Sequence, residues 1–396
     1  MSLRHPGLRS DLLYLDYNAT TPVDPVVVEA MLPYLREHFG NPSSAHSYGW
    51  AAHQALERSR ADVATLLGCS PGEIIFTGGG SESDNLAIRG VALACREQGQ
   101  GDHIITQVTE HPAVLNTCRA LERLHGFRVT YLPVDEYGRV SPEQVERAID
   151  RRTVLVSVMH ANNETGTLQP LAEIAAIAHH YGALMHSDAA QSVGKITTSV
   201  ADLGVDLLTV AGHKLYAPKG VGALYVRRGL GFTLEPVLYG GGQERGLRAG
   251  TESVAACVAL GAACRLAAER LPSESARLRR LRDLLWQRLR ESLGEQVQLN
   301  GHPEERLPNT LNVSISGLSG EEILAATPEV AASTGSACHE GSTDPSPVLL
   351  AMGLGRARAL GALRLTLGRW SSVDEVERAA VSLLRSMRAL ARNMRS

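Results

Sequence analysis

Between residues 73 and 226, runs of β-branched and apolar residues alternate with stretches of helical periodicity, and nothing else in the chain restricts its fold as much. Strand-like runs fall at 73–77, 103–108, 128–134, 154–159, 183–187, 205–211 and 222–226, with helical stretches at 81–97, 113–125, 142–149 and 171–181 between them. Strands separated by helices are joined by crossovers, which predicts an α/β fold with a mostly parallel sheet and helices on both faces. Such sheets hold ligands beyond the carboxyl ends of their strands. The pattern changes from Thr251. Residues 252–293 read as a long arginine-rich helix interrupted near Pro272, followed by a strand-like run at 310–316, a Gly/Ser stretch at 333–338 and a final helix at 373–392. This part predicts a second, smaller α+β domain.

Composition narrows the function classes. The 396 residues are 44% hydrophobic and 20% charged with a net charge of −3, as in an ordinary soluble globular chain. That charge gives nothing to attract nucleic acid or an acidic membrane surface. No apolar run approaches the roughly 18 residues of a membrane span. The N-terminal segment lacks a signal-like apolar stretch, so a cytoplasmic protein is expected. Lysine occurs at 195, 214 and 219 alone, which leaves three candidates for chemistry that needs an amine. The six cysteines, at 69, 95, 118, 257, 264 and 338, form no C-x-x-C pair, and no metal site is expected. Four lie in helix-like surroundings that suit small buried hydrophobes. Cys338 ends Ser333-Thr334-Gly335-Ser336-Ala337-Cys338, where it has little hydrophobic reason to be present.

Polar motifs gather at the strand ends. After the first strand comes Gly78-Gly79-Gly80-Ser81-Glu82-Ser83, leading into a helix. Glycines let the backbone approach a ligand closely, and free N–H groups at a helix N-terminus attract phosphate. No Gly-Lys-Ser/Thr follows, so this is not a Walker loop, and on its own the string is more often a plain strand-to-helix turn. The strand at 103–108 leads to Thr109-Glu110-His111-Pro112, where a lone His is more often a polar turn residue. Later strands end in His160-Ala161-Asn162-Asn163-Glu164-Thr165-Gly166, in Asp188-Ala189-Ala190-Gln191 and in Gly212-His213-Lys214. Together they place an acid, amides, histidines and a lysine around one rim. An amine can form a Schiff base with an aldehyde cofactor, and pyridoxal phosphate needs a carboxylate beside its ring nitrogen. Lys214 and Asp188 suit those roles, with an ordinary surface lysine as the alternative for Lys214.

These motifs are joined by Leu15-Asp16-Tyr17-Asn18-Ala19-Thr20-Thr21-Pro22, Phe39-Gly40-Asn41-Pro42-Ser43-Ser44, Gly240-Gly241-Gly242-Gln243-Glu244-Arg245 and Gly250-Thr251. The set resembles the cysteine desulfurases of the aminotransferase class V superfamily, the NifS/IscS type, over nearly the whole chain. The resemblance implies a fold-type-I homodimer that binds pyridoxal 5'-phosphate. It implies a large cofactor-binding domain at 21–264 and a small domain, at 1–20 and 265–396, that carries the catalytic cysteine. Lys214 resembles the covalent cofactor site, Asp188 the partner of the ring nitrogen, Gln191 the contact to the ring hydroxyl, and His111 the stacking acid/base. Gly80, Ser81 and His213 match phosphate-side positions, and Thr251 one supplied across the dimer. Asn163 resembles a residue that meets both ring and substrate, and Asn41 a further substrate contact. Arg364, in Arg364-Leu365-Thr366-Leu367-Gly368-Arg369, resembles the clamp for the substrate carboxylate, which its planar fork suits. Cys338 resembles the nucleophile that takes up sulfur. Ala211 departs from the pattern, because many members have a serine there whose hydroxyl reaches the phosphate. Gly80-Ser81 likewise stands where Ala-Thr is common.

The implied reaction takes sulfur from L-cysteine, releases L-alanine and leaves a persulfide on Cys338 for iron–sulfur cluster assembly or other sulfur transfer. Only a thiolate is a good nucleophile for that step. A sulfur-acceptor or scaffold protein is the expected partner. Strings at 161–166 and 344–350 also resemble selenocysteine lyase, which would release selenium from L-selenocysteine. An ordinary class V aminotransferase is a remoter reading. A scaffold that had lost catalysis would have no use for Lys214, Asp188, His111 and Cys338 together.

Overall fold

Among the described residues, twelve strands and their connecting helices place these motifs in space. The computed structural model describes residues 5–335 and 344–393, so Cys338 lies outside the described residues. In chain order the strands are β1 (Leu13–Tyr14), β2 (Ile74–Thr77), β3 (His103–Gln107), β4 (Arg128–Leu132), β5 (Thr153–Ser157), β6 (Leu184–Asp188), β7 (Leu207–Ala211), β8 (Gly222–Val226), β9 (Val297–Asn300), β10 (Thr310–Ile315), β11 (Val330–Ala331) and β12 (Ala362–Thr366). Seven of them form one sheet in the order β2-β8-β7-β6-β5-β3-β4. Neighbours from β7 to β4 are parallel, whereas β8 runs antiparallel to both β7 and β2. This is the predicted α/β sheet, with strand ends within two residues of those expected.

The sheet is buried on both sides, and the period of two along each strand divides its residues between two cores. Ile74, Phe76, Ile105, Val156, Leu208 and Val210 face one core, shared with helix Ser47–Leu67 and the first part of helix Val254–Leu293. Ile75, Ile104, Leu155 and Leu207 face the other, shared with helices Gly80–Glu97 and Pro112–His125. From β3 the chain goes outward to β4, then crosses back to β5 on the far side of β3. The winding reverses between β3 and β5, so a crevice opens at their carboxyl ends.

A second sheet, β12-β10-β9, is antiparallel and pairs Asn312 with both Arg364 and Asn300. Leu311, Val313, Ile315, Leu363 and Leu365 pack against Leu278, Leu281 and Leu285 of the long helix and against Leu383 and Met387 of helix Val373–Asn393. The alternate residues Thr310, Asn312, Arg364 and Thr366 are polar yet buried. They face the strand ends of the large sheet, where Asn312 Nδ2 donates to Glu164 O at 3.1 Å. β1 pairs in parallel with β11, and Thr366 N donates to Leu15 O at 2.8 Å. The segment from 13 to 18 therefore runs along this second sheet and ends at the crevice.

The expected interruption at Pro272 does not occur: one helix runs from Val254 to Leu293. A proline inside a helix removes a hydrogen bond and costs about 3 kcal/mol. Packing on either side offsets that cost, with Cys264 and Ala267 in the first core and Leu278 and Leu281 in the core of the small sheet. Among the described residues no helix is long and apolar enough to cross a membrane.

The glycine-rich string at 240–245 is anchored by a buried ion pair. Glu244 and Arg245 both have positive φ, 45° and 58°. The strain at Glu244 is held by Arg60, which donates from Nη2 to Oε1 at 2.7 Å and from Nη1 to Oε2 at 2.8 Å, while Phe76 N donates to Oε2 at 2.7 Å. Glu244→Ala leaves the buried Arg60 guanidinium with only the more exposed Glu57, on Nε at 3.0 Å, as counter-charge, and we expect a loss of about 2–3 kcal/mol in urea unfolding. A loss below about 1 kcal/mol would show that this pair does not anchor the loop.

Candidate active site

At the crevice the strand ends surround a cavity of about 280 Å³. It is lined by Gly80, Ser81, His111, Asn163, Asp188, Gln191, His213, Lys214 and Arg364, nine of the twelve residues expected at the site, and by Asn18, Asp84 and Ala211. Thr251 and Asn41 are exposed and do not line it, and Cys338 is outside the described residues.

The phosphate-side loop is shaped by two glycines. Gly79 takes φ 148°, a region that side chains disfavour. Gly222 on the adjacent β8 lies so close that a Cβ would come within 2.8 Å of the Gly79 backbone. The loop thus lies flat on β8 and feeds the 18-residue helix Gly80–Glu97, whose N-terminus has no side-chain cap. Its first N–H groups can meet an anion. Ala211 adds a methyl group there and no hydroxyl.

Opposite stand the amine and the acid. Lys214 Nζ donates to Ala19 O at 2.7 Å and to Asn18 O, so two carbonyls from the 13–20 segment aim it. Asp188 closes β6, and its Oδ1 accepts from Ala190 N at 2.9 Å. Burial pushes its carboxyl up, against the opposing pull of His111 and Lys214. His111 caps helix Pro112–His125: its Nδ1 accepts from Ala113 N at 3.1 Å, which leaves the proton of the neutral ring on Nε2. Burial holds its pKa below the usual value. His213, bonded to Thr20 Oγ1 at 3.2 Å, is lowered by burial to about 4. Both imidazoles are neutral donors or acceptors at neutral pH.

Arg364 reaches in from β12. It is almost fully buried, with Nη2 on Asp16 Oδ1 at 2.7 Å and Ser333 Oγ at 3.2 Å, and Nη1 on Asn163 O at 3.4 Å. Its Nε has no hydrogen-bond partner among the described residues. A buried guanidinium with an open donor beside a cavity is suited to a carboxylate.

Sequence reasoning missed four contributors. Asp84 is fully buried in the cavity wall, its Oδ1 without a hydrogen bond among the described residues and 3.7 Å from His186 Nε2, and burial followed by the charge of Asp188 pushes its carboxyl well up. Its signal was an acid on the apolar face of a helix, in register with Ile88 and Val91. Glu110 is buried as well. Asn18 and Lys195 complete the set, Asn18 within a string quoted only for family likeness and Lys195 among the three lysines. The surplus of buried acid toward one end of the cavity suits a ring with a protonated nitrogen. The amine suits an aldehyde, and the uncapped helix suits a phosphate. The residues present therefore fit a ligand carrying all three groups. None of the five described cysteines lines the cavity, and burial pushes the thiols of Cys95 and Cys118 up, to about 11 and about 12.

The aminotransferase class-V family profile matches residues 13–379. A cysteine desulfurase of Mus musculus is 45% identical over 379 residues, 96% of this chain and 82% of its own length. Cysteine desulfurase IscS 1 of Archaeoglobus fulgidus is 46% identical over 96% of this chain and 99% of its own. A solved NifS-like protein superposes with a TM-score of 0.87 at 37% identity, covering 95% of this chain and 99% of that one. SspA in complex with cysteine superposes with a TM-score of 0.78 at 40% identity, covering 91% and 99%.

Glu110 accepts from Met159 N at 2.6 Å and Gln107 Nε2 at 2.8 Å through Oε1, while Oε2 is unpartnered among the described residues, and burial raises its pKa to about 8. A raised carboxyl keeps its proton in the folded state after the unfolded chain has lost it. Its contribution to stability is complete below about pH 4.5 and is lost as pH rises to about 8. Between pH 5 and 8 we therefore expect Glu110→Gln to gain stability relative to the parent, by roughly 2–4 kcal/mol at the upper end, in urea unfolding of the ligand-free protein. A difference that does not change with pH would show Glu110 to be ionised in the fold.

Proposed function

The chain belongs to the aminotransferase class-V family, and from that membership and the cavity around Lys214 we propose that it is a pyridoxal-phosphate-dependent cysteine desulfurase. The observation that carries the reading is the convergence of Lys214, Asp188 and Arg364 on one buried cavity. When bound, the cofactor supplies an electron sink for the α-carbon of an amino acid. Lys214 would hold its aldehyde carbon, Asp188 its ring nitrogen, Gln191 its ring hydroxyl, and Gly80, Ser81 and His213 its phosphate. His111 would lie against the ring, with an exchangeable proton on Nε2. Arg364 holds the carboxylate of L-cysteine, with Asn163 beside it. Cys338 as thiolate attacks the substrate sulfur: an S–S bond forms, the C–S bond breaks, and the carbon keeps the electron pair and gains a proton as alanine. The persulfide then passes to an acceptor protein. Similarity to the cysteine desulfurases over nearly the full chain supports this.

A second copy of the chain is part of the proposal. Thr251 lies on the surface, outside the cavity, together with an exposed aromatic set at Phe39, Tyr48 and Trp50, which are 78%, 59% and 64% accessible. Aromatic rings at such exposure mark a contact surface. In a homodimer that face brings Asn41 and Thr251 toward a composite site. The same reading takes the cytoplasm as the location.

Product analysis tests the assignment. Purified protein given L-cysteine and a reductant is expected to form alanine and sulfide, with Lys214→Ala and Cys338→Ala each reducing both by at least ~10³-fold. Turnover of L-selenocysteine without turnover of L-cysteine would assign the chain to the selenocysteine lyases instead. Undiminished desulfuration by Cys338→Ala would remove Cys338 from the reaction.

A further inference from the structure

Lys195 is buried, four residues after Gln191, and its Nζ donates to Gln191 Oε1 at 3.0 Å and to Asn18 Oδ1 at 3.4 Å. Both acceptors are neutral amide oxygens. The charges that act on it are those of Lys214 and Arg364, both positive. A buried ammonium among neutral acceptors and like charges is unfavourable, unless an anionic group comes close when a ligand binds. As an ammonium Lys195 can only donate, so the oxygen of the Gln191 amide faces Nζ. The other end of the amide agrees, because Gln191 Nε2 donates to Asn18 O at 3.1 Å. Two neighbours thus require the same orientation. One N–H of Nε2 is used on Asn18, and the second remains for the cavity that Gln191 lines.

We propose that Lys195 is a positioning residue that fixes the Gln191 amide with its nitrogen toward the cavity and so favours the anionic form of an oxygen on the bound ring. This rests on the cofactor reading above. Lys195 does not touch the ring in this arrangement; it acts through Gln191 and through its charge. Without Lys195, Oε1 of Gln191 loses its donor and the amide can turn over, presenting an oxygen to the ring oxygen.

The readout is the pH midpoint at which the visible absorption band of the lysine-bound cofactor titrates. A nearby positive charge and a donor to the ring oxygen both make the protonated, cationic linkage less favourable, so removing either raises the midpoint. Lys195→Met is expected to raise it by about one pH unit, and Lys195→Arg, which keeps charge and donors, to leave it within about 0.3 unit of the parent. In a Gln191→Met background, Lys195→Met is expected to add less than half of its shift, because the two residues act as one unit. If Lys195→Met does not fold, Lys195→Gln reads the charge alone and is expected to raise the midpoint as well. An unmoved midpoint with the band intact overturns the inference, as does an equal shift in both backgrounds. A parent protein without the band overturns the cofactor reading itself, and this inference with it.

Discussion

Asn18 is bonded through each of its polar groups, and both sheets meet the site through it. Its N–H donates to Thr366 Oγ1 at 3.0 Å and its Nδ2 to Thr310 Oγ1 at 2.9 Å, which ties it to the small sheet. Nδ2 also reaches Asn163 O at 3.2 Å, and Oδ1 accepts from Asn309 and Lys195. Its carbonyl accepts from Gln191 and Lys214, both at the ends of large-sheet strands. A buried polar network rigidifies only when fully satisfied. Apart from Asn309, its arms end on residues of the proposed chemistry or on the strands that carry it, so the positions of Lys214, Gln191 and Arg364 depend on one another.

The charge balance of the pocket follows from its burial. Asp84, Glu110 and Asp188 are all pushed upward, while His111, His186 and His213 are pushed downward, His186 to about 3. Burial is the largest cause in each case, because a dry site disfavours every charge it is not built to pair. Behind the acids, His186 bonds Ser157 Oγ at 2.8 Å and Thr209 Oγ1 at 3.2 Å, which keeps the layer beneath the site polar yet uncharged. The site therefore holds acids and imidazoles whose protonation answers to what enters, and that is the condition for acid–base work near neutral pH.

Much of this was legible in the sequence for a physical reason. A parallel sheet buried on both faces needs continuous apolar strands, so 103–107 and 207–211 stand out, and the topology then requires function at their ends. His111, Asp188 and Lys214 were readable because they interrupt that pattern where the chain leaves the sheet. Asn18 was not, since its importance lies in partners far along the chain: it bonds residues up to Thr366, and no local period records such a contact. The short strands β1 and β11 are two residues each and carry no periodicity at all. Pro272 misled because a local rule was overridden by packing at both ends of the helix. Thr251 and Asn41 are exposed on a single chain, and the composite site proposed for them would leave no trace in one copy.

The central claim is that the amine of Lys214, aimed by the carbonyls of Asn18 and Ala19, is the point of covalent attachment. Borohydride reduction of the protein loaded with pyridoxal phosphate, followed by peptide mapping, tests it directly. The account predicts a single reduced pyridoxyl group on Lys214. A label on the buried Lys195 or on Lys219, or none at all, would contradict it.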